Sequence, residues 1–477
     1  MLLFSGNELI KYIDEEVDNS WNQRDYLGFL KNYISSNRKK VLGLSGLRGT
    51  GKTVGLLQLL KEYDGTYITA EKGEKNTPDE YISVLEQCSS NIIVIDEYPW
   101  ISNKDDKRKN LDAYLYTLAQ RGKKIIISGT NSIALENLRS GELIHRLDIL
   151  QINNFPYDEF CRMHFLEKNK ATCIKYLTTG GVFPEYVVSN YQSMLNYVKT
   201  AIIDSLSEYL PNMDPKYIAA IIYTILHKAV CDSIETTVPQ LTEKRIPIEN
   251  YLEEIGIDTS INIQPKDFNL VSSVLRDAGI IVTVPNFKKK SEYRTYITNP
   301  GLTYQMILAT HNISENSPYM NSILGYIFEA CCVVHAHDNL IGTGYGQDEL
   351  FYLYKKKSVR ECEIDFLIHC PTSKHSNAFL FECKLNDGPV VKERSSIVSS
   401  QLENILSDID IAGRYVVYNG PHNYDVVNNK EILYVGMDNI LANYHSFSAN
   451  KATIMEELQG CCQKTYFEER EEKIVKE

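Results

Sequence analysis

Gly46-Leu47-Arg48-Gly49-Thr50-Gly51-Lys52-Thr53 decides the fold of the first third of this chain. It fills every fixed position of the pattern G-x-x-x-x-G-K-[ST]. The apolar run Val41-Leu42-Gly43-Leu44-Ser45 precedes it and reads as a strand. Residues 52–63 follow and read as a helix. Glycines there let the backbone curl so that successive N–H groups point inward at phosphate oxygens, and the helix N-terminus adds partial positive charge. Gly46, Gly49, Thr50 and Gly51 are thus expected to cradle phosphates. Lys52 is placed to reach the β- and γ-phosphates, and the Thr53 hydroxyl to ligate Mg2+. The ligand this implies is ATP with Mg2+.

Working outward, Ile92-Ile93-Val94-Ile95-Asp96-Glu97 is an almost purely β-branched run ending in two acids. Such a run marks a strand buried on both faces. Asp96 is expected to hold the metal, and Glu97 to polarise an attacking water. A small-molecule kinase needs no such glutamate, so the pair favours hydrolysis. The next predicted strand, 124–128, ends at Ser128-Gly129-Thr130-Asn131; Ser128 or Thr130 is expected to sense the γ-phosphate. Arg139 and Arg146 are candidate arginine fingers, in cis or from a neighbouring subunit. Further strands at 66–70 and 147–152 alternate with helices at 108–120, at 132–138, and from Thr77-Pro78-Asp79-Glu80, which reads as a capping box with proline in the first turn. This alternation predicts a doubly wound parallel sheet.

The bulk numbers limit the remainder. A length of 477 residues implies two to four domains. A net charge of -12 excludes coating of nucleic acid by the whole-chain field, so any DNA contact must come from local patches. The 11 cysteines include two adjacent pairs and no C-x-x-C, which reads as reduced thiols. The N-terminus lacks the charge and apolar core of a signal peptide, and no apolar run is expected to span a bilayer. A cytoplasmic location without membrane contact is the expectation.

Beyond about residue 155 the pattern is helical. The amphipathic run 266–278 stops at Gly279 and leads into 280–285, a basic turn Lys288-Lys289-Lys290, and 293–298. Helix, strand, basic turn, strand is the outline of a winged-helix unit. From Ser317 a helix to about His335 precedes strands at 350–354, 361–369 and 378–385. In Glu361-Cys362-Glu363-Ile364-Asp365-Phe366 the three acids share one strand face, and in Glu382-Cys383-Lys384 the acid and the lysine share one. Asp365 and Glu382 can hold Mg2+, and Lys384 can help deprotonate a metal-bound water. Lys288–290 with Arg294, and Lys355–357 with Arg360, are candidate phosphate contacts on DNA. His335 and His337 lack zinc-ligand partners at suitable spacing and are read as non-metal residues.

The cradle, Asp96-Glu97-Tyr98, Ser128-Gly129-Thr130, Phe155-Pro156-Tyr157-Asp158-Glu159-Phe160 and Tyr176-Leu177-Thr178-Thr179-Gly180-Gly181-Val182-Phe183-Pro184-Glu185 occur in that order. Together they resemble the prokaryotic AAA+ superfamily ATPases that carry a restriction-endonuclease-like C-terminal domain. The resemblance implies that Pro184 lies near the base, although one extra residue separates it from the glycines. It also implies that Asp365, Glu382 and Lys384 are the D…E-x-K set of that domain, with Glu329 and Gln401 as auxiliary groups. The expected organisation is an AAA+ P-loop core with N-terminal helices (1–155), a helical lid (156–205), a winged-helix domain (206–310), a restriction-endonuclease-like α/β domain (311–450) and a charged tail (451–477). The expected activity is ATP hydrolysis coupled to DNA binding or cleavage, in a chain that could self-associate. The alternative is a nucleotide-controlled switch whose nuclease-like domain is inactive.

Overall fold

The structure, a computed structural model, describes residues 1–18, 20–70, 77–101, 108–129, 135, 138, 142–183, 186–207, 210, 212–259, 261–342, 349–356, 361–371, 376–385, 396–419 and 423–436. Arg139, Thr130, Pro184, Arg360 and the tail from 451 lie outside the described residues, as do the side chains of Lys355 and Lys356.

Strand β1 (Leu2–Ser5) and helices α1 (Gly6–Glu16) and α2 (Tyr26–Ser35) lead into β2 (Val41–Ser45), α3 (Lys52–Glu62), β3 (Thr66–Thr69), α4 (Pro78–Gln87), β4 (Ile92–Asp96), α5 (Arg108–Gln120), β5 (Lys124–Gly129) and β6 (Leu147–Gln151). One six-stranded sheet runs β1-β3-β4-β5-β2-β6. All its pairings are parallel except β1 with β3. Every residue of β2 and β4 is buried, as the apolar runs that lead to Ser45 and Asp96 at their ends predict. Thr77 and Glu80 form the expected capping box on α4. The sequence reading missed β1. It is an edge strand with Leu2 and Leu3 exposed, so it carries no burial pattern to detect.

A helical region follows: α6 (Tyr157–Met163), α7 (Lys170–Thr179), α8 (Tyr191–Tyr197), a π-helical turn (Val198–Ile203) and α9 (Asp204–Ser207). Next come α10 (Pro215–Thr237), α11 (Ile248–Glu254), α12 (Pro265–Asp277), the hairpin of β7 (Ile281–Pro285) and β8 (Tyr293–Ile297), and α13 (Pro300–Thr310). Helix α10 corrects one expectation, because it is long and apolar enough to cross a bilayer. However, 78% of its most apolar window is buried against the rest of the chain, as in a core helix.

The last sheet, β13-β14-β12-β11-β10-β9, packs against α14 (Met320–Gly342) and α15 (Ser400–Ile405). Its strands are β9 (Glu349–Lys356), β10 (Glu361–Pro371), β11 (Ser376–Lys384), β12 (Asp410–Tyr418), β13 (Asn423–Val427) and β14 (Lys430–Gly436). Helix α14 runs seven residues past His335, so the His335–His337 pair sits within the helix, not at its end.

The candidate nucleotide site

The loop after β2 bends at Gly49 and Gly51, whose φ angles are 81° and 82°. That left-handed region suits glycine and opposes a side chain. A Cβ on Gly46 would also meet Ile152 O at 2.2 Å, so the loop packs directly on the chain leaving β6. Thr50 is buried and its hydroxyl donates to Leu47 O at 2.8 Å, which fixes the turn. Lys52 begins α3. Its Nζ donates to Gly46 O at 2.7 Å and Leu47 O at 3.0 Å. Burial pulls the Lys52 ammonium below its ordinary range, and the charges of Glu97 and Asp96 oppose that pull.

Strand β5 lies between β2 and β4, so its C-terminal end stands between the cradle and the acids. Asp96 collects three hydroxyls there. Thr53 Oγ1 donates to Oδ2 at 2.7 Å, the Tyr67 hydroxyl donates to the same oxygen at 2.7 Å, and Ser128 Oγ donates to Oδ1. The Glu97 amide donates to Asp96 Oδ1 at 3.1 Å and to Ser128 Oγ at 3.3 Å. Glu97 itself has φ 52°, a strained conformation for a residue with a side chain. Its neighbours hold the turn. Tyr98 is buried with its hydroxyl on Asp112 Oδ1 at 2.5 Å, and Arg108 donates to the carbonyls of Tyr98, Pro99 and Ile101.

Thr53, Asp96, Glu97, Lys52 and Ser128 are therefore brought together as expected. Arg146 is not part of the group. Its guanidinium lies over the Tyr116 ring at 4.4 Å and donates to Glu142 O.

Sequence reasoning missed the groups that support the cradle from outside. Arg24 donates to Thr50 O at 2.6 Å and Asn153 O at 2.9 Å, and pairs with buried Glu159 at 2.5 Å. The Tyr26 hydroxyl donates to Gly51 O at 2.8 Å. From the far side the chain after Gly181 closes on the loop. Phe183 N donates to Gly49 O at 3.1 Å, and the rings of Phe183 and Tyr186 fill the spaces where side chains on Gly51 and Gly49 would lie. No local signal marks Arg24 or Tyr26. Tyr67 had one, as the buried aromatic on the strand beside Asp96.

The donor set fits Mg2+, since a threonine hydroxyl and a carboxylate lie in contact beside a glycine cradle. Loop, acidic knot and strand order together define a P-loop nucleotide-binding domain. Residues 38–161 match the family described as AAA domain, and this part of the chain is an AAA-type P-loop ATPase domain. No curated protein matches the chain. Among solved structures it is similar to the Walker-type ATPase PABY2304 of Pyrococcus abyssi, at 17% identity over 60% of this chain and 95% of that one, with a TM-score of 0.38. It is also similar to AMPPCP-bound DnaA from Aquifex aeolicus, at 13% identity over 44% of this chain and 68% of that one, with a TM-score of 0.23. Likenesses of that size carry no argument, and the assignment rests on the family match and the site.

The second predicted constellation also assembles. Asp365 Oδ2 accepts from Cys383 N at 2.6 Å, across the β10–β11 pairing. Buried Glu382 accepts from Ile397 N at 3.2 Å, and Lys384 Nζ lies 3.8 Å from Glu382 Oε2. Burial works against the charge of Lys384, but Asp365 and Glu382 outweigh it and raise its ammonium above the ordinary range. Burial pushes Asp365 up, against the pull of Lys384. Glu329, on α14, is pushed up to about 8 by burial and then by the charge of Asp365.

One assignment needs correction. Arg294 does not present its charge to a nucleic-acid backbone. It is largely buried, with Nη2 on Glu363 Oε1 at 2.5 Å and Nη1 3.7 Å from Glu329 Oε1, over the Tyr352 ring. Lys289 pairs with Glu292, and Lys290 lies 3.8 Å from Glu349. Of this cluster only Arg294 is withdrawn from the surface; Lys289 and Lys290 stay exposed in their pairs.

Proposed function

We propose that the chain hydrolyses Mg-ATP at 46–53 and couples that turnover to nucleic acid held or cut by its C-terminal sheet domain. The observation that carries the first part is the contact between Thr53 and Asp96, with Glu97 next in the chain. Mg2+ held by Thr53 and Asp96 would neutralise charge developing on the phosphates. Lys52 would bind the β- and γ-oxygens, Ser128 would orient Asp96, and Glu97 would take a proton from the attacking water. The restriction-endonuclease-like reading of 311–450 is supported by Asp365, Glu382 and Lys384 on the neighbouring strands β10 and β11, with Glu329 close to Asp365 from α14. Helices α10 to α12 followed by the β7–β8 hairpin support the winged-helix reading.

A second reading has its own support. Arg294 occupies Glu329 and Glu363, as expected of a nucleotide-controlled switch in which the acidic group is held closed or is structural. Supercoiled plasmid with Mg2+ or Mn2+, with and without ATP, separates the two, using Lys52→Ala and Asp365→Ala controls. Nicking lost in Asp365→Ala supports cleavage, and its loss in Lys52→Ala shows ATP control. ATP turnover without nicking under either metal selects the switch.

A further inference from the structure

Away from both sites, His227, Cys231 and Glu235 recur every four residues on α10 and so share one face. His311, just past α13, meets that face. Ligand atoms of Cys231, Glu235 and His311 all lie within 4.8 Å of one another. We propose that Cys231, Glu235 and His311 bind a transition-metal ion of the Zn2+ class that clamps α10 to the end of α13.

The proton positions support a cation. His311 Nδ1 lies 3.2 Å from Ile307 O and 3.0 Å from Thr310 Oγ1, whose own proton goes to Met306 O at 2.7 Å. Both neighbours accept, so Nδ1 carries the proton and Nε2 offers its lone pair. That lone pair faces Glu235 Oε1 at 3.3 Å. His227 lies one turn back on α10, where its Nε2 is 3.1 Å from Ile246 O and Cys231 Sγ stands 3.7 Å from its Nδ1 and 3.9 Å from its Nε2, so the ring packs against the sulfur. A backbone carbonyl fixing the remote nitrogen is the usual support of a metal-binding histidine.

The His311–Glu235 spacing of 3.3 Å agrees with a tetrahedral ion. Bonds of about 2.3 Å to sulfur and about 2.0 Å to nitrogen or oxygen place S and N about 3.6 Å apart, and N and O about 3.3 Å apart. Arg245 contacts the other carboxylate oxygen, Oε2, at 3.3 Å, which leaves Oε1 for the ion. A cavity of about 630 Å³, bounded by His227, Cys231, Asp232 and Arg245 among others, gives an approach.

The test is titration of the chelator-treated full chain with Co2+, then Zn2+. One equivalent of Co2+ should give the visible absorption of a tetrahedral site and a sulfur-to-cobalt charge-transfer band, both abolished by one equivalent of Zn2+. Cys231→Ser should lose the charge-transfer band and Glu235→Gln should weaken binding. Asp365→Ala should change neither, which excludes the carboxylates of the last sheet. Zn2+ should also raise the melting temperature of wild type and not of Cys231→Ser. Should Cys231→Ser fail to fold, Glu235→Gln carries the comparison. The proposal is overturned by no band, by a band that survives Cys231→Ser, or by an ion that dialysis removes. It is also overturned by a His311 that is indifferent to Zn2+.

Discussion

Placing a methyl group on Gly51 tests how the loop is supported. The φ of 82° costs a side chain about 1–2 kcal/mol. The new Cβ would also lie 2.2 Å from Phe183 Cε2, in a ring that is 5% exposed and packed against Phe155 and Trp21. Relieving that overlap costs about 1–3 kcal/mol more. Gly51→Ala should therefore destabilise the ATPase half by about 2–5 kcal/mol, from the sum of these two effects. Phe183→Ala alone should cost about 3–5 kcal/mol. In the double variant the overlap is gone and only the φ penalty remains, so the two changes should be coupled by about 1–3 kcal/mol. Urea unfolding read by tryptophan emission suits the measurement. The chain has only two tryptophans, Trp21 and Trp100, both in this half, and Trp21 lies 5.4 Å from Phe183. Additive effects, with coupling under about 0.5 kcal/mol, would refute the placement of the ring on the loop.

Other outcomes follow from the same geometry. Arg24→Ala takes the closest cation from a glutamate that is 2% exposed, leaving it Arg162 at 3.8 Å and the Asp25 amide, and should cost about 1.5–3 kcal/mol in thermal or urea unfolding. Arg24→Lys should recover only part of this, because Thr50 O and Asn153 O also lose a donor. Tyr67→Phe removes one hydroxyl from Asp96 and should cost about 1.5–3 kcal/mol, with turnover reduced more than nucleotide affinity in steady-state assays. Glu329 holds its proton to about pH 8 in the folded chain, while the unfolded chain gives it up near 4.5. The folded state binds the extra proton between those values, so its stability should fall as pH rises through that window and level off above it. Melting temperatures from pH 5 to 9 should show this slope in wild type and a shallower one in Glu329→Gln.

Much of this architecture was legible because its signals are local. The burial of 92–96 follows from its β-branched run, and the start of α4 from Thr77 and Glu80. The glycines at 49 and 51 announce backbone angles that the structure contains. What was hidden depends on pairing across long separations. Arg24 and Glu159 are 135 residues apart, and nothing near either marks the other. Arg294 looked like one more cation in a basic turn, and only the meeting of β8 with α14 and β10 shows where its charge is spent. The face shared by His227, Cys231 and Glu235 has helical spacing, but its fourth member arrives from 76 residues beyond Glu235.

The hairpin has a practical consequence for dissecting the chain. Its turn joins the last sheet by backbone: Phe287 N donates to Tyr352 O at 2.8 Å, and the Asn286 side chain donates to Tyr354 O at 2.9 Å. Arg294 reaches from the same hairpin into Glu329 and Glu363. A fragment cut at residue 310 would lose an edge partner for β9 and the guanidinium that lies against Glu329 and Glu363. The behaviour of such a fragment would report the cut, not the native domain, so the excision point belongs before Ile281.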